Sequence, residues 1–286
     1  MNGRQLGVML GVIAWAISSA TAVSAQAPAP QPMPTTTDPA PTLSTPTGAE
    51  SWKAPFGGTF TANFTFATDY SFRGISQTAR QVAVQPSFGY DTPTIGHDDV
   101  VLGAYVGVWG SNFVSLGSAV EVDLLTGLRG TALNEKLSFD LGFFRYNYLG
   151  APADLYYDFN EFGLVVGYDF GVAQVKAALY YSPNFFANSG EAWYKWGQIA
   201  LPLRFIHVNE NVAFRLFGSL GNQYVERYAK YEISADNYWD WQIGVAATVY
   251  GFDMTVAYVD TSLDVASCAN TRNCEPRVVF TLSKSF

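Results

Sequence analysis

Charged residues are scarce in this chain. Asp, Glu, Lys and Arg make up 14% of its 286 residues, whereas roughly a quarter is usual for a soluble globular domain. The charge that is present is mostly acidic, with 24 acidic against 16 basic side chains and a net charge of −8. Because phosphate binding requires a basic surface, this balance argues against nucleic acid as a partner.

Histidine and cysteine are also rare, with two of each. His97 and His207 both fall in predicted turns, far apart in the sequence, which argues against a Ser–His hydrolase. Cys268 and Cys274 have no histidine or third thiol nearby, so a metal site is not indicated. In an oxidising compartment, this pair instead predicts a disulfide that closes a small loop. We therefore expect no cofactor and no enzymatic activity.

The chain has one long uncharged apolar run, over residues 6–23. It follows Arg4 and ends at Val23-Ser24-Ala25, where small residues suit signal-peptidase cleavage. We interpret residues 1–25 as a signal peptide; a membrane anchor is the alternative, because the run approaches spanning length. Residues 26–55 are rich in Ala, Pro, Thr and Ser, which predicts a disordered periplasmic leader. A tether to a partner is the alternative there.

Beyond the signal peptide no run is long and apolar enough for a membrane-spanning helix, but a period-2 alternation is present throughout. In residues 59–73 Phe60, Phe64, Phe66, Tyr70 and Phe72 share one face, predicted to face lipid, opposite polar residues. A membrane protein without spanning helices must cross as a closed barrel, because lipid offers backbone amides no partner. We therefore predict an all-β fold for residues 56–286, a transmembrane antiparallel β-barrel of the outer-membrane type.

The alternation recurs in about twelve segments, an even number as such barrels require. With the amino-terminus in the periplasm, links from odd to even strands face outside the cell, and we expect one over residues 111–118. Most of these outer links are longer than the periplasmic turns. The exceptions are two long periplasmic links, residues 91–99 and 202–211. Aromatic residues bunch near predicted strand ends, and we interpret them as girdles at the membrane interfaces. They include Tyr146, Tyr148, Tyr156, Tyr157, Trp193, Tyr194, Trp196, Tyr238, Trp239 and Trp241.

The last predicted strand alternates to an aromatic carboxy-terminus. Val278, Phe280, Leu282 and Phe286 share one face, and Lys284 is the single charged residue among them. This pattern is typical of the terminal strand that the bacterial barrel-assembly machinery recognises. We therefore predict that machinery as a partner and Phe286 as the assembly signal. Near the membrane edge, the Lys284 side chain can reach the interface.

Four stretches carry a resemblance to a known family. Residues 68–78 read TDYSFRGISQT, and GAYVGVWGSNF, EVDLLTGLRG and FDLGFFRYNY begin at Gly103, Glu121 and Phe139. The sequence resembles the TorF family of porins, also catalogued as Gcw_chp, over residues 59–286. The resemblance implies an outer-membrane barrel of a Gram-negative bacterium. It implies no mechanism, because substrates in that family are largely undefined.

The candidate functional residues are charged side chains on the inward face of the predicted strands. They are Asp69, Arg73, Glu121, Asp123, Arg129, Asp140, Lys176 and Arg215. Asp69 and Arg73 are expected at the outer end of the first strand, where the chain turns through Gly74. There they form either a structural salt bridge or a charged constriction. Glu161 and Asp240 share the inward parity. With them, inward acids outnumber inward bases, which predicts a mild preference for cations.

Three functions are compatible with these features. The first is a narrow channel for passive diffusion of small hydrophilic solutes or ions, because a twelve-strand barrel lies between small filled barrels and large open porins. The second is a closed structural or adhesin-like barrel, plugged by its own charged pairs. The third is an outer-membrane hydrolase. In each case the lipid of the outer membrane surrounds the barrel.

Overall fold

The computed structural model describes residues 55–97, 100–115 and 118–286. The predicted signal peptide and nearly all of the predicted leader lie outside these residues. In the described part of the chain, no helix is long and apolar enough to cross a membrane.

Twelve strands form the barrel. They are β1 Thr59–Ala67, β2 Ala83–Asp91, β3 Val100–Ser115, β4 Ser118–Ala132, β5 Leu137–Leu149, β6 Phe159–Asp169, β7 Gln174–Ser182, β8 Ala192–Pro202, β9 Val212–Val225, β10 Asn237–Val249, β11 Phe252–Thr261 and β12 Arg277–Ser285. The connections contain three short strands, Ser71–Phe72, Ile75–Ser76 and Ile95–His97, and single 3-10 turns at Pro55–Gly57, Ala153–Leu155, Phe186–Asn188, Tyr228–Tyr231 and Arg272–Cys274.

The barrel is closed and antiparallel, as predicted. Each strand pairs with the next along the chain, and β12 pairs with β1, where Asn63 lies opposite Ser285. Closure leaves no free sheet edge, so every strand has a hydrogen-bonding neighbour on both sides.

The exterior is apolar and the interior is largely polar. Leu141 and Ile243, each 56% exposed, represent the outward face, whereas Thr255 and Thr281 are buried inside and their hydroxyls lie 2.5 Å apart. Every barrel strand has at least nine residues, and about 9–11 tilted residues are enough to cross a bilayer. The apolar exterior therefore matches what a lipid environment requires.

The two ends of the barrel differ. We call the end that carries residues 59 and 286 the terminal end, and the opposite end the long-loop end. The expected outer loop over residues 111–118 is wrong, because β3 continues to Ser115 and β4 begins at Ser118. Phe113 in this extension points inward, and its ring lies 4.7 Å from that of Tyr148. This packing favours continued strand over an open loop.

The first strand is shorter than predicted. It ends at Ala67, and Tyr70 and Phe72, expected to face lipid, are buried. Residues 68–82, which we call the lumen hairpin, fold back into the barrel at the long-loop end. Its turn is formed by Arg73 and Gly74, whose φ values are 49° and 80°. Two consecutive positive φ angles are typical of the two-residue type I′ turn, whose twist suits a tight hairpin.

The predicted aromatic girdle is correct only in part. Trp239 and Tyr156 are exposed. Six of the expected girdle residues are instead buried: Tyr146, Tyr148, Tyr157, Tyr194, Trp196 and Tyr238. Most of these rings surround the lumen hairpin, because they pack against its apolar side chains in one buried cluster. The long-loop half of the lumen is therefore filled.

Some rings lie along the lumen wall where glycines make room for them. A Cβ atom at Gly127 would lie 2.7 Å from the Tyr105 hydroxyl, and one at Gly163 would lie 2.5 Å from Cε1 of Tyr180. These contacts are closer than side chains tolerate, so the ring positions require glycine. The rings thereby line the wall closely at these positions.

We expect the Gly163→Ala substitution to lower the free energy of unfolding by about 1–3 kcal/mol, because the added methyl group overpacks the lumen against Tyr180. Gly197→Ala is the matched control, since its Cβ would meet nothing closer than the Lys176 carbonyl oxygen at 3.8 Å. Urea unfolding of both variants in detergent gives the comparison. Equal stability of the two variants would contradict the described ring position.

Candidate functional site

The tip of the lumen hairpin places one arginine inside the barrel. Arg73 Nη2 lies 2.7 Å from both Oε1 and Oε2 of Glu161, on β6. Arg73 Nη1 donates a hydrogen bond to Oε1 of Gln223, on β9. The Arg73 and Glu161 side chains are 0% and 1% exposed. The guanidinium group therefore bridges two strands of the wall from inside a closed lumen.

Aromatic rings enclose the same guanidinium group. Its central carbon lies 4.4 Å from the centroid of Tyr194, 4.6 Å from Phe72, 5.5 Å from Phe185 and 5.9 Å from Tyr180. Distances below about 6 Å allow cation–π attraction, which is stronger where water is excluded. The site thus combines two oxygen acceptors with an aromatic cage.

Electrostatics keep this arginine charged. Burial alone would lower the pKa of the Arg73 guanidinium, but the adjacent Glu161 carboxylate, together with Tyr146 and Tyr194, outweighs burial, and the pKa is raised above its ordinary value. Burial likewise raises the pKa of Tyr70 well above its usual range, and the nearby Glu121 carboxylate adds to the increase. The Tyr70 phenol stays protonated and donates to Glu121 Oε1 at 3.3 Å.

A second ion pair anchors the base of the lumen hairpin. Asp69 accepts a hydrogen bond from Nε of Arg277, on β12, and from the hydroxyls of Ser76 at 2.5 Å and Thr78 at 2.8 Å. The expected Asp69–Arg73 salt bridge is therefore wrong. The tight turn carries Arg73 away from the base, toward Glu161, while Asp69 stays beside β12.

Three carboxylates near the lumen hairpin have no ion-pair partner within the described residues. Glu121 and Asp123 project into the lumen from β4, and Asp240 projects from β10, all nearly inaccessible to solvent. The Tyr194 hydroxyl donates to Asp240 at 3.0 Å. Together with Asp69 and Glu161, these carboxylates outnumber the two buried guanidinium groups. The wall around the hairpin therefore carries more carboxyl groups than guanidinium groups.

The remaining sequence-predicted charges face the lumen nearer the terminal end. Arg129 forms an ion pair with Asp91. Asp140 accepts a hydrogen bond from the Tyr105 hydroxyl at 2.9 Å. Lys176 and Arg215 are half-buried in the same part of the lumen. The structure thus divides the eight candidates into two groups, with Asp69, Arg73, Glu121 and Asp123 at the long-loop end.

The sequence did not predict two polar partners of the candidate residues, Gln223 and Arg277. Gln223 carried no charge and gave no signal. Arg277 could have been found, because it shares the inward parity of Val279 and Thr281 on β12. Among the described residues, no group of three or more His, Cys, Asp or Glu side chains is placed to hold a metal ion.

A cavity of about 110 Å³ lies at the long-loop end. Its lining includes Phe72 and Phe185, the two rings that also cover Arg73, together with Tyr231 and Cys268. Burial raises the pKa of Tyr231 to about 12, so its phenol is neutral. The structure pairs Cys268 with Cys274, with Cα atoms 6.1 Å apart, in the loop that borders this cavity. The cavity thus borders the aromatic cage at the long-loop end.

Comparison with known families places the chain. The model of a family described as a bacterial protein of unknown function, Gcw_chp, matches residues 51–286. The chain belongs to the Gcw_chp family. No curated protein sequence matches it.

Several solved structures resemble this Gcw_chp barrel. LpxR from Salmonella typhimurium is 11% identical, with 79% of this chain and 99% of that chain covered and a TM-score of 0.44. The NanC porin is 8% identical, with 79% and 98% covered and a TM-score of 0.44. The translocator domain of autotransporter NalP from Neisseria meningitidis is 10% identical, with 79% and 88% covered and a TM-score of 0.42. Similarity at this level carries no argument about substrate or activity.

In this Gcw_chp chain the segment TDYSFRGISQT has a clear physical role. It supplies the anchor Asp69, the turn Arg73–Gly74 and the hydroxyls that bind Asp69, so it forms most of the lumen hairpin. The first of the four family-like stretches therefore encodes the element that occupies the lumen.

Proposed function

We propose that this protein is an outer-membrane channel for small hydrophilic solutes and ions, with a mild preference for cations. In the described conformation the lumen hairpin closes its long-loop end. The observation that carries the proposal is the way this hairpin is attached. Its two short strands pair with each other and form no sheet with the barrel wall. The hairpin is attached to the wall by the ion pairs Asp69–Arg277 and Arg73–Glu161. Further side-chain hydrogen bonds add to them, as does a backbone hydrogen bond from the Val114 N–H to the Gln77 carbonyl at 2.9 Å.

Attachment through buried charges suits a movable closure better than a permanent core. A buried ion pair is often no more stable than apolar packing of the same volume, because both charges must be desolvated. Water or a competing ion can restore that solvation when the hairpin leaves. The wall then exposes Glu121, Asp123, Glu161 and Asp240, and such acidic linings favour cations. The proposal assigns transport to the barrel and no catalytic residue.

Conductance of the purified protein in planar bilayers tests this proposal. We expect a variant that lacks residues 72–75 to conduct more than the wild-type protein, because the deletion removes the tip of the hairpin. Deletion of residues 205–208 is the matched control, since these four exposed residues lie in a turn at the terminal end. That control should conduct like the wild-type protein.

The same bilayers test the cation preference. In the shortened variant, replacing Glu121, Asp123 and Asp240 by Gln, Asn and Asn should shift the reversal potential toward anions. The shift should weaken at high salt, because the Debye length falls from about 8 Å at physiological ionic strength to about 3 Å at 1 M. A folded shortened variant that shows no conductance at any voltage would contradict the channel. It would favour the closed structural barrel, which the aromatic packing around the hairpin supports as the second candidate.

A further inference from the structure

We propose that the pocket around Arg73 is a binding site for the guanidinium group of a solute, and that Arg73 occupies it as an internal stand-in while the lumen hairpin is in place. The inference deepens the proposed function and rests on it in one respect, because the hairpin must leave for a solute to bind in the native protein.

The oxygen acceptors of the pocket belong to the barrel wall. Glu161 lies on β6 and Gln223 on β9, so both remain when the hairpin moves. One guanidinium nitrogen of Arg73 donates to both Glu161 oxygens at 2.7 Å, and another donates to Gln223. A planar cation with several fixed donors can reach two separated acceptors at once. A compact ammonium ion has no such spread of donors.

The aromatic walls are also largely independent of the hairpin. Tyr180 lies on β7, Tyr194 on β8, and Phe185 in the connection between them; only Phe72 moves with Arg73. Flat faces stack well on a delocalised planar cation, which is more weakly hydrated than ammonium. The pocket therefore keeps two acceptors and three rings after the hairpin leaves.

Arg73 adopts a backbone conformation that arginine disfavours. Its φ of 49° lies in the left-handed region, which is unfavourable for an L-residue with a Cβ. Asn, Asp or Gly would fill this position of a type I′ turn more easily. The side chain therefore has to compensate for the turn, and it does so through the pocket.

Charge and access favour an incoming cation. Without Arg73, Glu161 would join Glu121, Asp123 and Asp240 as unpaired carboxylates in one region of the lumen. The cavity at the long-loop end adjoins Phe72 and Phe185, so it borders the pocket on that side. A solute with a guanidinium group, such as an arginine-containing peptide, combines the charge and shape that this region requires.

Chemical rescue of the Arg73→Ala variant tests the site. We expect methylguanidinium, added to the folded full-length variant in detergent, to raise its unfolding temperature with a saturable dose dependence. Methylammonium, with the same charge and a different shape, and urea, a neutral planar molecule, should not do so. The wild-type protein should not respond, because Arg73 fills its pocket. The double variant Arg73→Ala/Glu161→Gln should lose the response.

The controls make the outcome decisive. No saturable response of the Arg73→Ala variant, or an equal response in the wild-type protein or the double variant, would overturn the site. If the Arg73→Ala variant does not fold, the variant that lacks residues 72–75 takes its place in the same titration. This measurement detects binding and does not depend on conductance. A saturable response in a barrel that never conducts would support the binding site and refute the channel. Conductance without a saturable response would support the channel and refute the binding site.

Discussion

Replacing Glu161 by Leu should lower the free energy of unfolding by about 3–5 kcal/mol, because Arg73 would be left buried and charged without its counter-ion. The expectation follows from the burial of both side chains and from the two contacts of 2.7 Å between them. Reversible urea unfolding in detergent or lipid gives the measurement. A loss of this size would be among the largest available from one substitution in this protein.

The double variant Arg73→Leu/Glu161→Leu tests whether the loss of stability comes from leaving one charge unpaired. We expect it to be more stable than Glu161→Leu alone, because removing both charges removes the desolvation cost along with the attraction. Arg145→Leu is a matched control: its ion pair with Asp158 is partly exposed, at 35% and 44%. That control should cost no more than about 1 kcal/mol. A Glu161→Leu variant as stable as the control would mean that the hairpin does not occupy the lumen.

The barrel could be predicted from sequence because lipid and lumen impose opposite demands on successive residues. Glu121 and Asp123 alternate with Val122 and Leu124, and the structure places the acids inside and the apolar residues outside. Such parity depends only on neighbouring residues. It can be recognised even when strand ends are misplaced by a residue or two, so the fold and the number of strands could be predicted.

The lumen hairpin could not be predicted from the same pattern. Alternation continues through Tyr70 and Phe72, so it gives no sign that β1 ends at Ala67. The signal that opposes it is the pair Arg73–Gly74, which suits a tight turn with positive φ angles. Once the chain turns inward, the two apolar side chains meet other protein side chains instead of lipid.

The buried aromatic residues illustrate a second limit. Tyr146 and Tyr148 share the parity of Asp140 on β5, which predicts that they face inward, while their position near a loop predicts an interfacial girdle. Parity was the stronger guide, because proximity to a loop does not fix the direction of a side chain. Ion-pair partners lie beyond either pattern: Arg73 and Glu161 are 88 residues apart in the sequence.

The carboxy-terminal residue carries the second large expected effect. Phe286 closes the seam of the barrel through its backbone: its N–H donates to the Ala62 carbonyl at 2.8 Å, and its carbonyl accepts from the Ala62 N–H at 3.2 Å. Its side chain is 63% exposed and packs little within the protein. The ring is therefore available for recognition, whereas the backbone serves the fold.

Comparing Phe286→Ala with deletion of Phe286 separates these two roles. If the barrel-assembly machinery reads the ring, both variants should lose most of the heat-modifiable folded protein from outer-membrane fractions. Purified Phe286→Ala should nevertheless refold into detergent like the wild-type protein, because it keeps both seam hydrogen bonds. Phe170→Ala, at the same end and 61% exposed, should assemble normally. Normal folded levels of Phe286→Ala in cells, with a defect confined to the deletion, would show that the terminus acts only through the seam.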